Sequence, residues 1–295
     1  MTPLVVRCPA KVNLHLRVLG RRADGYHELR TLFASVGVWD EVEVRELPPG
    51  RLDLVVEPVG SAPSGPENLV MRAAVALQAR LPSPRGAAIL LRKAIPAAAG
   101  LGGGSADAAA TLVALAHLWG LDGSFAALAP LAAGLGADVP FFLLGGLAWG
   151  VGRGSEVYPL PDAPPWWVVL LPGPEPVPTA AVYRAFEPRG LDDATGDAIY
   201  QWTIAGGELP LAACVNELQP VVVAGWPEVG GRLAAIRETG PLLGQVSGSG
   251  GTVFGLYGGS ADAEDAVRRL TAHRPLLAPV LPRGQARPRP SASEA

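Results

Sequence analysis

The chain is poor in the residues that mark several common protein classes. It has only two cysteines, Cys8 and Cys214, in neither a C-x-x-C pair nor a metal-type spacing. That argues against a disulfide scaffold and against a cysteine-built metal site. Charge is also sparse, at 17% of 295 residues, with a net charge of −3. Without a basic field, nucleic acid is not an expected partner, and any anionic ligand must be held by local geometry. The first residues, MTPLVVRCPAKVNLHL, lack the order of a secretory signal, because Arg7 and Lys11 break the apolar run. The expected location is the cytoplasm. No fixed-period repeat is present.

Long uncharged runs are rare too, with one exception. Residues 125–152 carry a single charge, Asp138. The length would allow a membrane span. Pro130, Pro140 and several glycines break it, and Asp138 in lipid would cost about 2.5–3.5 kcal/mol. A buried helix–loop–strand is expected instead, and no membrane partner.

What the chain does have is a 49% hydrophobic fraction, enough for a substantial core, and a length suited to one large domain or two. Residues 4–18 alternate: Val12, Leu14, Leu16 and Val18 on one side, Lys11, Asn13, His15 and Arg17 on the other. That pattern predicts a strand with one polar face. Two more strands are expected over 29–46, then another in GRLDLVVEP. Helical spacing covers ENLVMRAAVALQARL. The segment 159–165, PLPDAPP, holds four prolines in seven residues and is the best linker candidate. Beyond it lie a strand (166–172), helices near 179–187 and 217–238, a glycine loop entering a strand (244–259) and an amphipathic helix (260–273). The last segment, rich in Pro, Arg and Ser, is expected to be a disordered tail.

Residues 95–110 read IPAAAGLGGGSADAAA. A strand precedes them and a strong helix follows, with Ser105 placed as its N-cap and Gly120 near its end. Strand, glycine turn and helix in that order build an anion site. Glycine lets the backbone approach a ligand, and the helix start offers unpaired N–H groups with the positive end of its dipole. Phosphate is the usual ligand. A tight connection alone would need one glycine; Gly100, Gly102, Gly103 and Gly104 exceed that need. The P-loop pattern fails because Ser105-Ala106 stands where Lys-Ser/Thr is required. The dinucleotide pattern fails because position 105 is serine, and Asp122, at the right offset for the ribose acid, follows a helix.

Single residues leave more than one reading open. Asp138 could cap a helix, Lys11 could be a solvated edge charge, and Asn68 could be an N-cap. Tyr26 and His27 could be a half-buried turn pair.

Three segments in order resemble the GHMP kinase superfamily: PAKVNLHL at 9–16, IPAAAGLGGGSADAAA at 95–110 and SGSGGTVFGLY at 247–257. The likeness covers about residues 4–275. RADGYHELRTLF (22–33), ENLVMRAA (67–74) and GADVPFFL (136–143) make it closest to the members that phosphorylate a cytidine-diphosphate-linked methylerythritol in the non-mevalonate route to isoprenoids. The resemblance implies an α+β fold in two domains. The first (1–158) is ribosomal-protein-S5-like and carries the phosphate loop; the second (159–281) is ferredoxin-like; 282–295 is the tail.

It also implies roles. Asp138 is the catalytic base, and Lys11 beside it keeps it ionised and stabilises developing charge. ATP is held by Pro96, Gly100, Leu101, Gly102, Gly103, Gly104, Ser105 and Ala106, with Asn68 and Lys93 flanking the adenine. Mg²⁺ is expected with ATP, and Ser105 is its candidate contact. Tyr26 stacks on cytosine, His27 bonds its edge and Tyr183 closes the other side. Asn13, Thr179, Gly248 and Gly250 complete the substrate site. No obligate protein partner is implied. Alternatives are a sister kinase for homoserine or a mevalonate-type alcohol, and a non-catalytic nucleotide-binding module.

Overall fold

The computed structural model describes residues 3–187 and 193–292. Three strands come first: β1 (Leu4–Arg21), β2 (His27–Leu47) and β3 (Leu52–Glu57). Helix α1 (Leu69–Gln78), strand β4 (Gly86–Arg92) and helices α2 (Gly103–Trp119), α3 (Phe125–Leu135) and α4 (Val139–Leu144) follow. Strands β5 (Leu147–Gly152) and β6 (Glu156–Pro159) lead to β7 (Trp167–Leu171). Next come α5 (Thr179–Ala185), α6 (Asp193–Ala205), α7 (Gln219–Gly225) and α8 (Pro227–Arg237). The chain continues with β8 (Leu243–Val246), β9 (Val253–Tyr257), α9 (Ser260–Arg269), β10 (Leu276–Pro279), α10 (Arg283–Ala286) and β11 (Pro290–Ala292).

Two sheets organise these elements, giving the expected α+β architecture. The larger has the order β11-β1-β2-β4-β3, with β5 added beside β2 and β6 beside β5. The smaller is antiparallel, in the order β10-β7-β9-β8. The proline-rich segment 159–165 passes from β6 in the first sheet to β7 in the second.

The two strands expected over 29–46 are one. β2 runs unbroken but changes partner: residues 29–34 pair with β5, and 41–47 with β4. Gly37 sits between these stretches. A Cβ there would lie 2.9 Å from Pro279 Cδ, so the smaller sheet presses close where β2 changes partner.

The polar face expected on β1 exists, but it is buried. Lys11, Asn13, His15 and Arg17 are all buried. They meet the second half of the chain. Leu16 N–H donates to the Val215 carbonyl (2.7 Å), and Glu217 N–H donates to the Leu16 carbonyl (3.0 Å). Arg17 Nε donates to Glu217 Oε1 at 3.1 Å. One strand therefore belongs to one sheet by its ladder and touches the other half by its polar residues.

Helix α2 is buried on nearly every side and packs on β1, β2, α1 and α4. A helix apolar all round belongs at the centre of a structure. Its fully buried alanines, including Ala106, Ala108, Ala109, Ala110, Ala114 and Ala116, let it lie close to the sheet. Residues 125–152 form α3, α4 and β5: the expected helix and strand are present, with a second short helix where the loop was expected. Among the described residues, no helix is long and apolar enough to cross a membrane.

The disordered tail expected at 282–295 is corrected through residue 292; residues 293–295 lie outside the described set. α10 rests on Gly145 and Gly146, where added Cβ atoms would lie 2.9 Å from Ala286 and Arg283. Arg283 donates to the carbonyls of Leu147 and Leu160, both at 2.8 Å. β11 then pairs with β1. Composition predicted disorder, but specific backbone partners order the segment.

Candidate active site

A cleft of about 1560 Å³ opens between the two halves, with lining residues from both. The glycine-rich loop forms one wall. Gly100 (φ +80°) and Gly102 (φ +73°) are both left-handed, which favours glycine. Gly102 is also the N-cap of α2. A Cβ on it would lie 2.6 Å from Phe142 and 3.1 Å from Lys11. The backbone is thus drawn tightly against α4 and β1. This corrects the placement of Ser105 as N-cap: the cap lies three residues earlier, and no side chain caps the helix. Ser105 lies in the first turn and lines the cleft, as do Pro96, Gly100, Gly102, Gly103 and Gly104. Leu101 and Ala106 do not. Both side chains are in the core, and the Ala106 N–H is already bonded to the Gly102 carbonyl at 2.9 Å.

Lys11 and Asp138 meet beside this loop, with Lys11 Nζ 3.5 Å from Asp138 Oδ2. Lys11 also donates to Asn13 Oδ1 (2.6 Å), Asn13 donates to Thr31 Oγ1 (2.8 Å), and Thr31 donates to the His15 carbonyl (2.8 Å). This chain of bonds fixes the ammonium. Asp138 occupies the N-cap position of α4, but its carboxylate makes no capping bond and is 34% exposed. The carboxylate is free to meet a ligand while its ammonium neighbour is locked in place.

The second glycine loop closes on the first. Ser247 Oγ donates to the Gly100 carbonyl (2.9 Å), and Thr252 N–H donates to the Ala99 carbonyl (3.1 Å). Gly248 (φ +59°) lines the cleft; a Cβ there would lie 3.0 Å from Asn13 Oδ1. Gly250, expected among the substrate contacts, lies outside the lining. Its Cα packs directly on the backbone of Ala99 and Gly100, so it joins the loops.

Aromatic residues gather at the other end. His27 and Tyr183 rings lie 5.0 Å apart, and Tyr26 is 55% exposed with the Arg153 guanidinium 4.6 Å above its ring. All four line the cleft. Burial, aided by the charge of Arg21, lowers the His27 pKa and favours the neutral ring. Burial raises the Tyr183 pKa, with Asp138 adding to the shift, so its phenol stays protonated. Thr179 accepts a hydrogen bond from Ser249 Oγ (3.0 Å) at the rim.

Asn68 does two things at once. It caps α1 by accepting from Val70 N–H (2.8 Å), and it lines the cleft. Lys93 also lines the cleft, but its ammonium is held by Asp40 and Asp107, the latter at 2.7 Å. Burial opposes the charge on Lys93, and the two carboxylates more than offset this, raising its pKa. Burial pushes the Asp107 carboxyl up to about 8, with Lys93 opposing and Asp40 reinforcing.

Sequence reasoning missed Asp40, Thr31, Asp107 and Arg153. Asp40 and Thr31 sit in β2 beside other polar residues, Glu41 and Arg30, and Asp107 sits inside an alanine-rich helix. The one signal available was Asp107, a lone acid in an apolar helix; Asp40 is one of several acids in its strand.

The site fits ATP on its own geometry: glycines that admit no Cβ, the free first turn of α2, and a fixed lysine. No group of three metal-ligating side chains exists among the described residues.

Fold and site define a small-molecule phosphotransferase, and the chain belongs to the GHMP kinases. The profile of the GHMP kinases N terminal domain matches residues 68–146, and that of the GHMP kinases C terminal domain matches 206–275. Within them it belongs to the family of the 4-diphosphocytidyl-2-C-methyl-D-erythritol kinases. A protein of that name from Pelotomaculum thermopropionicum is 46% identical over 268 residues, 90% of this chain and 92% of the relative. Another from Nocardioides sp. is 42% identical over 280 residues, 90% and 92% of the two chains. A crystal structure of 4-(cytidine 5'-diphospho)-2C-methyl-D-erythritol kinase is 40% identical with a TM-score of 0.76, covering 93% of this chain and 98% of that one. The homoserine kinase of Cytophaga hutchinsonii shares the fold, at 21% identity and a TM-score of 0.75 over 99% and 98% of the chains.

Proposed function

We propose that this chain transfers the γ-phosphoryl group of ATP to the 2-hydroxyl of 4-diphosphocytidyl-2-C-methyl-D-erythritol, a step toward isoprenoid precursors by the non-mevalonate route. The observation that carries this reading is the Lys11–Asp138 pair, placed between a phosphate-type helix start and an aromatic recess in one cleft. The names of the relatives support the same acceptor.

The first turn of α2 and the glycine loop hold the ATP phosphates through backbone N–H groups. Ser105, in the first turn of α2, would be the contact for an Mg²⁺ ion bound with ATP, and that ion would supply charge neutralisation on the phosphates. Lys11 faces the transfer and offsets negative charge as it spreads over the phosphoryl oxygens. Asp138 orients the acceptor hydroxyl and takes its proton late, as phosphoryl transfer proceeds. Tyr26 and Tyr183 close on the faces of the cytosine ring, and neutral His27 bonds its edge. Asn13, Thr179 and Gly248 border the acceptor between those ends.

The test of this division of labour is Asp138→Ala. Turnover is expected to fall by about 10²–10⁴-fold, the range for loss of a positioned acid or base. ATP affinity, measured by calorimetry, is expected to stay within about twofold. An unchanged kcat would remove Asp138 from its role.

A further inference from the structure

The mechanism leaves one buried charged cluster unused. Asp40, on β2, is 1% exposed and does not line the cleft. Its Oδ1 accepts from the N–H groups of Ala94 (2.6 Å) and Ile95 (2.9 Å), the first residues of the glycine-rich connection. Its Oδ2 is paired with Lys93 Nζ. Lys93 in turn bonds Asp107 Oδ2 at 2.7 Å, one turn into α2. The loop is therefore gripped at both ends by one set of charges.

The grip reaches the helix start itself. A Cβ on Gly103, the first residue of α2, would lie 3.1 Å from Lys93 Nζ and 3.0 Å from Ile95 Cγ2. The ammonium thus sits directly against the turn that offers its N–H groups to phosphate. Asp107 Oδ1 is buried and has no partner among the described residues. The Asp107 carboxyl is therefore tied through Oδ2 to Lys93, with Asp40 close enough to act on it as well. Loss of that tie would release the helix end of the loop, and loss of the Asp40 bonds would release the strand end.

We propose that Asp40, Lys93 and Asp107 form a positioning network that sets the distance between strand β4 and the start of α2, and so shapes the phosphate loop for ATP. The proposal rests on the reading of that loop as the ATP site. Asp40 touches no ligand in this account and acts through Lys93 and the loop backbone. The network belongs to the nucleotide side alone: none of its hydrogen bonds reaches the second glycine loop or the aromatic recess.

Asp40→Asn is the informative variant. Its amide oxygen can still accept from the Ala94 and Ile95 N–H groups, but its NH₂ would face the Lys93 ammonium, donor against donor. The KM for ATP is expected to rise at least tenfold, with the KM for the cytidyl-linked acceptor within twofold of wild type. Val168→Ala, a cavity in the second sheet remote from the loop, provides a destabilised control whose KM for ATP should not move. If Asp40→Asn does not fold, Asp107→Asn is measured in the same way and should raise the KM for ATP selectively. Equal KM values for ATP in variant and wild type, or parallel rises for ATP and acceptor, overturn the proposal. Calorimetry of ATP with the wild-type protein separates the two levels of the argument. No binding overturns the loop reading and the network with it, whereas normal wild-type binding with an unaffected variant overturns the network alone.

Discussion

Burial decides what the titratable residues of β1 can do. His15 is fully enclosed, stacked on Trp149 with centroids 6.1 Å apart, and its Nδ1 accepts from Val215 N–H at 3.2 Å. Burial, with Arg17 and Arg30 adding repulsion, lowers its pKa from 6.5 to about 4. The native state therefore resists a proton that the unfolded chain accepts. Its contribution to stability is full above about pH 6.5 and is lost as pH falls toward 4, amounting to about 3 kcal/mol at most. Thermal melts of the wild type should show Tm falling through that window, and His15→Gln should flatten the fall. A His15→Gln variant with an unchanged pH profile would contradict the assignment. The sequence showed His15 as one of four polar residues on a strand face. It could not show that this face is covered, because the covering segment, 214–218, lies 200 residues away.

At the level of elements, the cleft depends on two glycine loops packed backbone to backbone. Both were legible as glycine loops, and the strand–loop–helix order is the ground for proposing the first as an anion site. Their mutual contact was not legible, since neither loop's composition specifies a partner. Gly250 shows the consequence: its neighbours in sequence made it a ligand contact, whereas the structure uses its missing side chain to seat Gly100. Gly250→Ala would force the loops apart. Steady-state kinetics should show KM rising for ATP and for the acceptor together, by about tenfold each if the added methyl costs near 1.4 kcal/mol of binding on either side. Retention of both KM values would mean that the loops do not depend on each other. The N-cap of α2 was misread by three residues for a similar reason. Ser105 is the expected cap by residue type, but Gly102 adopts the left-handed turn that packs under Phe142, and the helix begins there.

Across the whole molecule, the two halves are joined by more than the proline-rich connection. β1 meets residues 215–217, the loops meet each other, and the C-terminal segment returns to the first sheet. That return was not legible, because a Pro- and Arg-rich end reads as tail until its partners are known. Arg283 is the clearest tie, with one bond to a carbonyl of the first half, Leu147, and one to Leu160 in the proline-rich connection. Arg283→Ala should cost about 1–3 kcal/mol, the range for leaving such partners unsatisfied, read as a lower urea midpoint. No change in midpoint would show that the C-terminal segment contributes no net stability. Function was the most legible property at this scale, since Lys11, Asp138 and the residues Gly25, Tyr26 and His27, distant in sequence, all border one cleft. The most direct measurement is ATP turnover by the purified protein with three acceptors: the cytidyl-linked methylerythritol, homoserine and mevalonate. The expected result is ADP release only with the first, accompanied by a new phosphate monoester at its 2-hydroxyl in the phosphorus NMR spectrum. Turnover on homoserine or mevalonate alone, or no turnover on any of the three, would contradict the account.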